Sequence, residues 1–304
     1  MNQELLIALF AGLGGMFGWG LSDFFAKKTI DRLGDTITLF WSQFLGIFPI
    51  LLLLLFEQKV PHFNGIDWLF LIILGAWDGL CYVPAYVAFK KGQASLLGPI
   101  FATYDVLVVI ISAVFFGEVI PFYRQVVLFI VFLGILLING NPWELLLFFA
   151  GKNKRPDIVK GLPEMLLAVC LYSLWIIALD NFISNKDWLS ALLVIRIFSA
   201  FTIFLLAKIT HKEILFRKKR NLWKFIFLIG LFDVIAFSSV SYGLSNTSYT
   251  SVVAMLSSAF SLPLVLLAHF FLKEKTTKIQ VLGGSIIIIG VMLLPLLQDH
   301  SSFY

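Results

Sequence analysis

The sequence has few charged residues and only two cysteines. Charged residues make up 13% of the 304-residue chain, whereas they make up roughly 25% of an ordinary soluble domain. Hydrophobic residues make up 60% and the mean hydropathy is +0.94, which excludes a soluble globular protein. Because Cys81 and Cys170 both fall inside long apolar runs, where a thiol behaves as a small apolar group, we expect no disulfide, no metal site and no cofactor.

Sequence features of two further protein classes are also missing. The chain has no HExxH zinc helix, and its four histidines do not converge in sequence on the acidic residues described below. This argues against a membrane-embedded enzyme, because such an enzyme needs a catalytic or metal constellation. The first apolar run follows Glu4 without the basic segment of a signal peptide, so we expect the first helix to be retained.

What the chain does have is a series of apolar runs of about 20 residues, the length needed to cross a bilayer. Ten transmembrane helices are predicted, at residues 4–26, 37–56, 67–89, 94–117, 120–139, 162–182, 188–208, 222–244, 248–272 and 278–297. The polar, proline-bearing segment 141–161 is predicted to be a cytoplasmic linker. The fold class is therefore an all-α integral membrane protein with one five-helix repeat in residues 1–140 and another in residues 162–304.

The stretch from Tyr86 to Glu118 occurs a second time in weakened form. A shift of 156 residues pairs Tyr86 with Tyr242 and Glu118 with Glu274. Because each half holds an odd number of helices, the second half enters the membrane from the opposite side, and the repeat is inverted. We interpret the two tyrosines and two glutamates as scaffold, each glutamate satisfying free N–H groups at the start of the next helix.

The basic residues predict the orientation. Of the 23 Lys and Arg, 19 lie at the odd-numbered connections between helices, which by the positive-inside rule are cytoplasmic. Both termini are then outside, in what we expect to be a bacterial inner (plasma) membrane. We interpret the basic run from Lys212 to Arg220 as part of this orientation signal and expect no nucleic-acid partner.

Ionisable residues at membrane depth are candidates for a functional site because inserting them is costly. Counted from the helix ends, Asp78, Asp105, Arg196 and Asp233 lie near the midplane. Each could instead be a buried polar lock that fixes helix register. Asp23 lies about one turn from the predicted end of its helix, where an interfacial role explains it equally well.

The balance of these charges is informative. Three midplane aspartates face one arginine, so the interior must bind protons, a cation or a cationic substrate group, unless an acid is held neutral by burial. Proton coupling is the economical hypothesis. The shift of 156 pairs Asp105 with Ser261, and this broken symmetry marks Asp105 as a candidate site residue.

The chain resembles the EamA-type members of the drug/metabolite transporter superfamily. The resemblance is carried by the ten predicted helices in two halves, by ASLLGPIF and FFGE in the first copy, and by TSVV and FLKE in the second. It implies a central cavity lined largely by helices 1, 3, 4, 6, 8 and 9. The cavity candidates, including the midplane arginine, are Trp19, Asp78, Tyr82, Asp105, Trp175, Arg196, Asp233 and Phe237.

The same resemblance implies a secondary transporter that works by alternating access, coupled to protons or to exchange. Its expected cargo is an amino acid, an amine-bearing metabolite or a drug-like compound. Besides this small-molecule substrate, the expected partners are protons or a counter-substrate, membrane lipids and a second copy of the chain in a homodimer. A membrane-embedded enzyme and a lipid-moving or non-transporting helper of the same fold remain alternatives.

Overall fold

The computed structural model describes residues 3–116, 122–138, 159–183, 186–215 and 220–296, and all regular structure in these ranges is helical. The helices of the first half are α1 (Gln3–Leu33), α2 (Asp35–Phe56), α3 (Gly65–Lys91), α4 (Ala94–Phe101), α5 (Tyr104–Phe116) and α6 (Phe122–Ile138). Those of the second half are α7 (Leu162–Ile183), α8 (Trp188–Ile209), α9 (Trp223–Asn246), α10 (Thr250–Ser258), α11 (Ser261–Phe271) and α12 (Lys278–Leu296).

Within the described ranges, eight segments are long and apolar enough to cross a membrane, with α4 and α5 forming one of them and α10 and α11 another. Shorter apolar stretches lie at Gln125–Ile135 and Lys278–Leu293. The prediction of ten spans therefore stays a prediction for the fifth and tenth. Of the predicted scaffold and linker, Glu118 and residues 141–158 lie outside the described part of the chain.

Helix α1 is longer than the sequence predicted. The predicted end at residue 26 is wrong, because the helix continues to Leu33. The reason is that the basic residues after position 26 do not form a solvated loop. The buried Lys27 ammonium donates to Asp31 Oδ1 at 2.8 Å and to the carbonyl of Phe89 at 2.7 Å. Asp23 consequently lies well inside the helix and not near its end.

Two predicted helices are each broken in the middle. The predicted helix at 94–117 is divided into α4 and α5, separated at Ala102 and Thr103, and the predicted helix at 248–272 is divided into α10 and α11, separated at Ala259 and Phe260. The predictions of single helices were wrong in this respect. At both breaks the chain makes a tight turn, with Thr103 N donating to Ile100 O at 3.0 Å and Phe260 N to Ser257 O at 3.1 Å. Under the shift of 156 the first break falls within one residue of the second.

The two halves run in opposite directions, as the inverted repeat predicts. Helix α7 begins beside the end of α3, where Lys91 pairs with Glu164, and ends beside the start of α3, where Lys186 pairs with Asp67. The bond from Lys27 to the Phe89 carbonyl brings the end of α1 to the end of α3. Helices α1 and α7 are therefore antiparallel.

Contacts between the halves come in equivalent sets. Helix α1 packs on α9 as α7 packs on α3, while α2 packs on α8 and α6 on α12. A shift of 153 superposes the 22 residues of α2 on those of α8, pairing Gln43 with Arg196 and Lys59 with Lys212. Because Arg196 Nη1 donates to Gln43 Oε1, these two equivalent residues meet beside the pseudo-twofold axis.

Two ion pairs, one at each end of the bundle, join residues at the ends of α2 to residues that flank α8. We call the end that holds Asp35 and Lys212 the basic face and the end that holds Lys59 and Asp187 the N-terminal face. The N–O distances are 3.7 Å for the pair at the basic face and 3.0 Å for the pair at the N-terminal face. Asp35 also pairs with Lys90 at 2.8 Å.

The pair at the N-terminal face shifts the protonation of both partners. Partial burial acts to raise the pKa of the Asp187 carboxyl, but hydrogen bonds from Ser190 and Lys59 outweigh it and hold that pKa below its ordinary value. Hydrogen bonds to Glu57 and Asp187 raise the pKa of the Lys59 ammonium. Both groups are therefore charged over the neutral pH range.

Glu274 caps a helix, but not the one that the sequence predicted. Its carboxylate accepts from Ala94 N at 2.9 Å, Ser95 N at 2.8 Å and Ser95 Oγ at 2.6 Å. These groups begin α4 in the other half, whereas the predicted target was the next helix along the chain. A carboxylate is stabilised at this position by the free N–H groups and the positive end of the helix dipole. The cap thus joins the two halves at the basic face.

Candidate binding cavity

A small cavity lies between the two halves at the level of the helix breaks. Its volume is about 40 Å³, which admits a few water molecules. Helices α1 to α5 and α7 to α9 contribute to it, and Phe260 brings the break between α10 and α11 into its wall. The lining residues are Trp19, Ser22, Asp23, Ser42, Gln43, Tyr82, Tyr86, Phe101, Tyr104, Tyr172, Arg196, Ile229, Gly230, Asp233 and Phe260.

Arg196, on α8, lies beside the pseudo-twofold axis and makes two hydrogen bonds in the cavity wall. Its Nη1 donates to Gln43 Oε1 and its Nη2 to Asp233 Oδ2. Arg196 and Asp233 are both buried, so this is an ion pair removed from water. The Nε of Arg196 has no hydrogen-bond partner among the described residues. Asp78 is close enough to interact electrostatically with both Arg196 and Asp233.

Asp23 is the acidic residue of the cavity that has no cation beside it. It lines the wall, and among the described residues no hydrogen bond or ion pair to its carboxylate is found. The interfacial position considered for it from the sequence was wrong, because it depended on α1 ending at residue 26. A signal was present in the sequence: Trp19 and Asp23 are four residues apart and so share one face of a helix.

The structure brings half of the eight predicted site residues into the cavity wall. Trp19, Tyr82, Arg196 and Asp233 line it, and the ring of Phe237 contacts that of Trp19, with centroids 5.3 Å apart. The other three lie elsewhere. Asp78 is buried close to Arg196. The buried Nε1 of Trp175 donates to the carbonyl of Leu74 at 2.9 Å. Asp105 lies in the first turn of α5 and does not line the cavity.

Residues missed by sequence reasoning form much of the remaining wall. These residues are uncharged and lie mostly on α2, α4, α5 and α7. In these helices the periodicity of the sequence gave no reason to prefer one apolar or aromatic position over another. Beside Asp23, they are Ser22, Ser42, Tyr86, Phe101, Tyr104, Tyr172 and Phe260. Tyr104 and Phe260 are equivalent under the shift of 156. Tyr104 directly follows the first helix break and Phe260 is the last residue of the second, a signal that becomes visible once the breaks are known.

Two larger pockets lie on either side of the central cavity. Toward the basic face, Tyr86 lines both the cavity and a pocket of about 100 Å³ that also contacts Asp35 and Lys212. The Tyr86 hydroxyl is 3.4 Å from Ser42 Oγ. Tyr86 therefore separates the cavity from this pocket, which we call the basic-face vestibule.

Toward the N-terminal face lies a pocket of about 520 Å³, the N-terminal vestibule, whose wall includes Leu53, Trp188 and Tyr242. Phe237 packs against the same buried cluster as Leu53 and Trp188 do, and its ring contacts that of Trp19. The pair of Trp19 and Phe237 thus separates the cavity from this vestibule. The cavity is closed on both sides by aromatic side chains.

The comparisons with known proteins agree with this architecture. The sequence model of the EamA-like transporter family matches residues 6–140 and 159–296. The chain belongs to this family. It is accordingly an integral membrane protein of the drug/metabolite transporter superfamily, with the two-repeat architecture of EamA-like proteins. No curated protein sequence matches this EamA-like chain.

A solved crystal structure, of a protein described without a function, has the same fold as this EamA-like chain. The TM-score is 0.66 at 15% sequence identity, and the likeness covers 95% of this chain and 96% of the other. At this level of identity the likeness concerns the fold alone.

Proposed function

We propose that the chain is a secondary active transporter that moves a small organic metabolite across the membrane by alternating access, with the central cavity as its substrate site. The substrate classes considered are an amino acid, an amine-bearing metabolite and a drug-like compound. In this scheme the two inverted halves rock about a midplane site, and the broken helices supply its walls.

The observation that carries the proposal is the unequal state of two equivalent tyrosines. Tyr86 and Tyr242 are related by the shift of 156, yet Tyr86 is 6% exposed and Tyr242 is 58% exposed. The vestibules next to them differ in the same sense, about 100 Å³ against about 520 Å³. In an inverted repeat, exchanging the conformations of the two halves exchanges the two faces. The opposite state would then expose Tyr86 and bury Tyr242.

The first test is transport itself. Purified protein in proteoliposomes is screened for counterflow with amino acids, polyamines, quaternary amines and nucleotides. Accumulation of at least one solute above protein-free vesicles is the expected result. Lipid turnover with no counterflow across the panel would favour a membrane-embedded enzyme, and lipid scrambling without counterflow would favour a lipid-moving protein of the same fold.

The second test follows the tyrosines. In a Cys170→Ser background, where the remaining Cys81 is buried, Tyr86→Cys and Tyr242→Cys are labelled with a membrane-impermeant maleimide. We expect Tyr242→Cys to react faster at rest, and the difference to shrink during counterflow as the opposite state is populated. Tyr249→Cys, at the N-terminal face but outside the vestibule wall, is the control. Unchanged labelling of both sites during turnover would contradict alternating access.

The charge count extends the proposal to topology and coupling. With the basic face in the cytoplasm, both termini lie outside and the larger vestibule opens away from the cytoplasm. The acidic interior supports exchange against protons or another cation. A reporter fused to either terminus tests the orientation, and a cytoplasmic reporter would reverse it.

A further inference from the structure

The wall of the central cavity is unusually rich in aromatic rings. Seven of its fifteen lining residues are Trp, Tyr or Phe, and their rings touch one another in a nearly continuous chain. The centroid distances along this chain are 6.2 Å for Trp19–Phe260, 6.3 Å for Phe101–Phe260, 5.5 Å for Phe101–Tyr172, 5.8 Å for Tyr82–Tyr172 and 6.3 Å for Tyr82–Tyr86. The cavity is therefore enclosed by π faces and ring edges.

Among the charged groups of the cavity, one acidic residue has no ion-pair partner in the described part of the chain. Each Nη atom of Arg196 makes one hydrogen bond, to Gln43 and to Asp233, and Nε is the only guanidinium nitrogen without a partner in the described chain. Asp23 lies in the same wall without an ion pair among the described residues, and the charged group that acts on it electrostatically is another carboxylate, that of Asp233. This acidic residue thus favours a positive ligand group over a negative one.

We propose that the cavity selects organic cations, and that the carboxylate of Asp23 holds the ammonium group of the substrate inside the cage of aromatic rings. A carboxylate beside aromatic faces is the arrangement that binds methylated and primary ammonium groups, because the ring quadrupoles and the carboxylate attract the same charge. The Arg196 guanidinium is already paired with Asp233, so it offsets one negative charge of the wall and leaves Asp23 as the acid that faces the ligand.

The proposal rests on the proposed transport function, since it assigns the substrate class of the same cavity. At about 40 Å³ the cavity is occluded, so an organic cation enters only when one of the aromatic closures moves. Trp19 belongs to both the cage and the closure toward the N-terminal vestibule. Cation binding and opening of this closure are therefore coupled through one side chain.

The test separates charge from shape. Choline and 3,3-dimethylbutan-1-ol, its uncharged carbon isostere, are titrated into the purified full-length chain, and binding is followed by tryptophan fluorescence and calorimetry. Choline is expected to bind at least tenfold more tightly than the isostere. Asp23→Asn should lower choline affinity at least tenfold, Asp23→Glu should retain most of it, and Asp180→Asn, which removes an exposed aspartate near the end of α7, should leave it unchanged.

The possible outcomes are distinct. Equal binding of choline and its isostere to the unmodified chain, or unaltered choline affinity in a monodisperse Asp23→Asn variant, would overturn the cation assignment. Preference for a zwitterionic amino acid such as leucine would do the same. Choline binding without counterflow of any solute would leave the cation site standing and remove the transport function, whereas counterflow of a neutral solute that is unaffected by Asp23→Asn would do the reverse.

Discussion

The buried pair of Arg196 and Asp233 predicts a specific pattern of stability loss. Removing one partner of a buried ion pair costs about 3–5 kcal/mol because the other charge stays buried without compensation. The two single variants should not be equal. Arg196→Gln leaves Asp233 and the nearby Asp78 facing no cation, whereas Asp233→Asn leaves Arg196 close to Asp78. We expect a loss of about 5 kcal/mol for the first and about 3 kcal/mol for the second.

The assay is thermal unfolding of each purified variant in detergent, read by intrinsic fluorescence. At about 2 °C per kcal/mol for a chain of this size, the melting temperature should fall by about 10 °C for Arg196→Gln and by about 6 °C for Asp233→Asn. The double variant removes both charges and should recover at least half of the loss seen for Arg196→Gln. Its remaining loss reflects unpaired polar groups rather than an unpaired charge.

Lys59→Gln is the matched control, because the Lys59 pair is partly exposed and pairs in contact with solvent contribute about 0–1 kcal/mol. Its melting temperature should fall by no more than about 2 °C. If Arg196→Gln lost no more than this control, the buried charges would have other compensation. If the losses in the double variant were the sum of the single losses, the two residues would act independently. Either result refutes the pairing as the source of the stability.

Three further predictions concern the scaffold. Glu274→Ala removes the cap of α4 and should lower stability by about 1–2 kcal/mol, measured by thermal unfolding. Gly18→Ala puts a Cβ 2.7 Å from a side chain of α9 and 2.8 Å from its backbone, so it should cost about 1–3 kcal/mol, whereas Gly65→Ala points into open space and should not. The pKa of Asp187 is lowered in the folded chain, so Asp187 contributes to stability above about pH 4 and loses this contribution as the pH falls through its folded pKa. The pKa of Lys59 is raised, so Lys59 contributes to stability below about pH 10.4 and loses this contribution as the pH rises through its folded pKa. The difference in melting temperature between the unmodified chain and Asp187→Asn should therefore be the same at pH 5.5 and pH 8.5 and should shrink below pH 4.

The fold was predictable in outline because membrane insertion imposes a strong, repetitive signal. Apolar runs of the required length gave the helices, and the odd number of helices per half gave the inversion. The errors lie where tertiary contacts override the local pattern. Lys27 is buried against Asp31 and the Phe89 carbonyl, so a basic residue that indicated a loop lies inside a helix. Neither helix break has a proline or glycine at the turn itself, and a hydropathy profile does not detect such breaks.

The cavity was predictable at the rare charges and at aromatic residues that share a helix face with an aspartate, such as Trp19 and Tyr82. Arg196 and Asp233 stood out because charge at membrane depth is costly, and the structure brings them together. Aromatic residues are common throughout the chain, 16% of it, so nothing in the sequence distinguished Tyr104 or Tyr172 from a residue facing lipid. Asp105 and Asp23 show the limit of depth counting. A shift of seven residues in the end of α1 moved Asp23 away from the helix end, whereas Asp105 was counted as central and does not line the cavity.

The inverted repeat also limits where specificity can arise. Near the axis, equivalent residues face one another, and two identical side chains there would make a nearly symmetric site. The chain departs from symmetry at these positions: Gln43 faces Arg196, and Tyr104 stacks on its equivalent Phe260 with centroids 6.5 Å apart. Asp23 is a further departure, because the shift of 156 pairs it with Leu179. The repeat supplies two similar closures for alternating access, and the residues that break it supply the chemistry by which one ligand is bound.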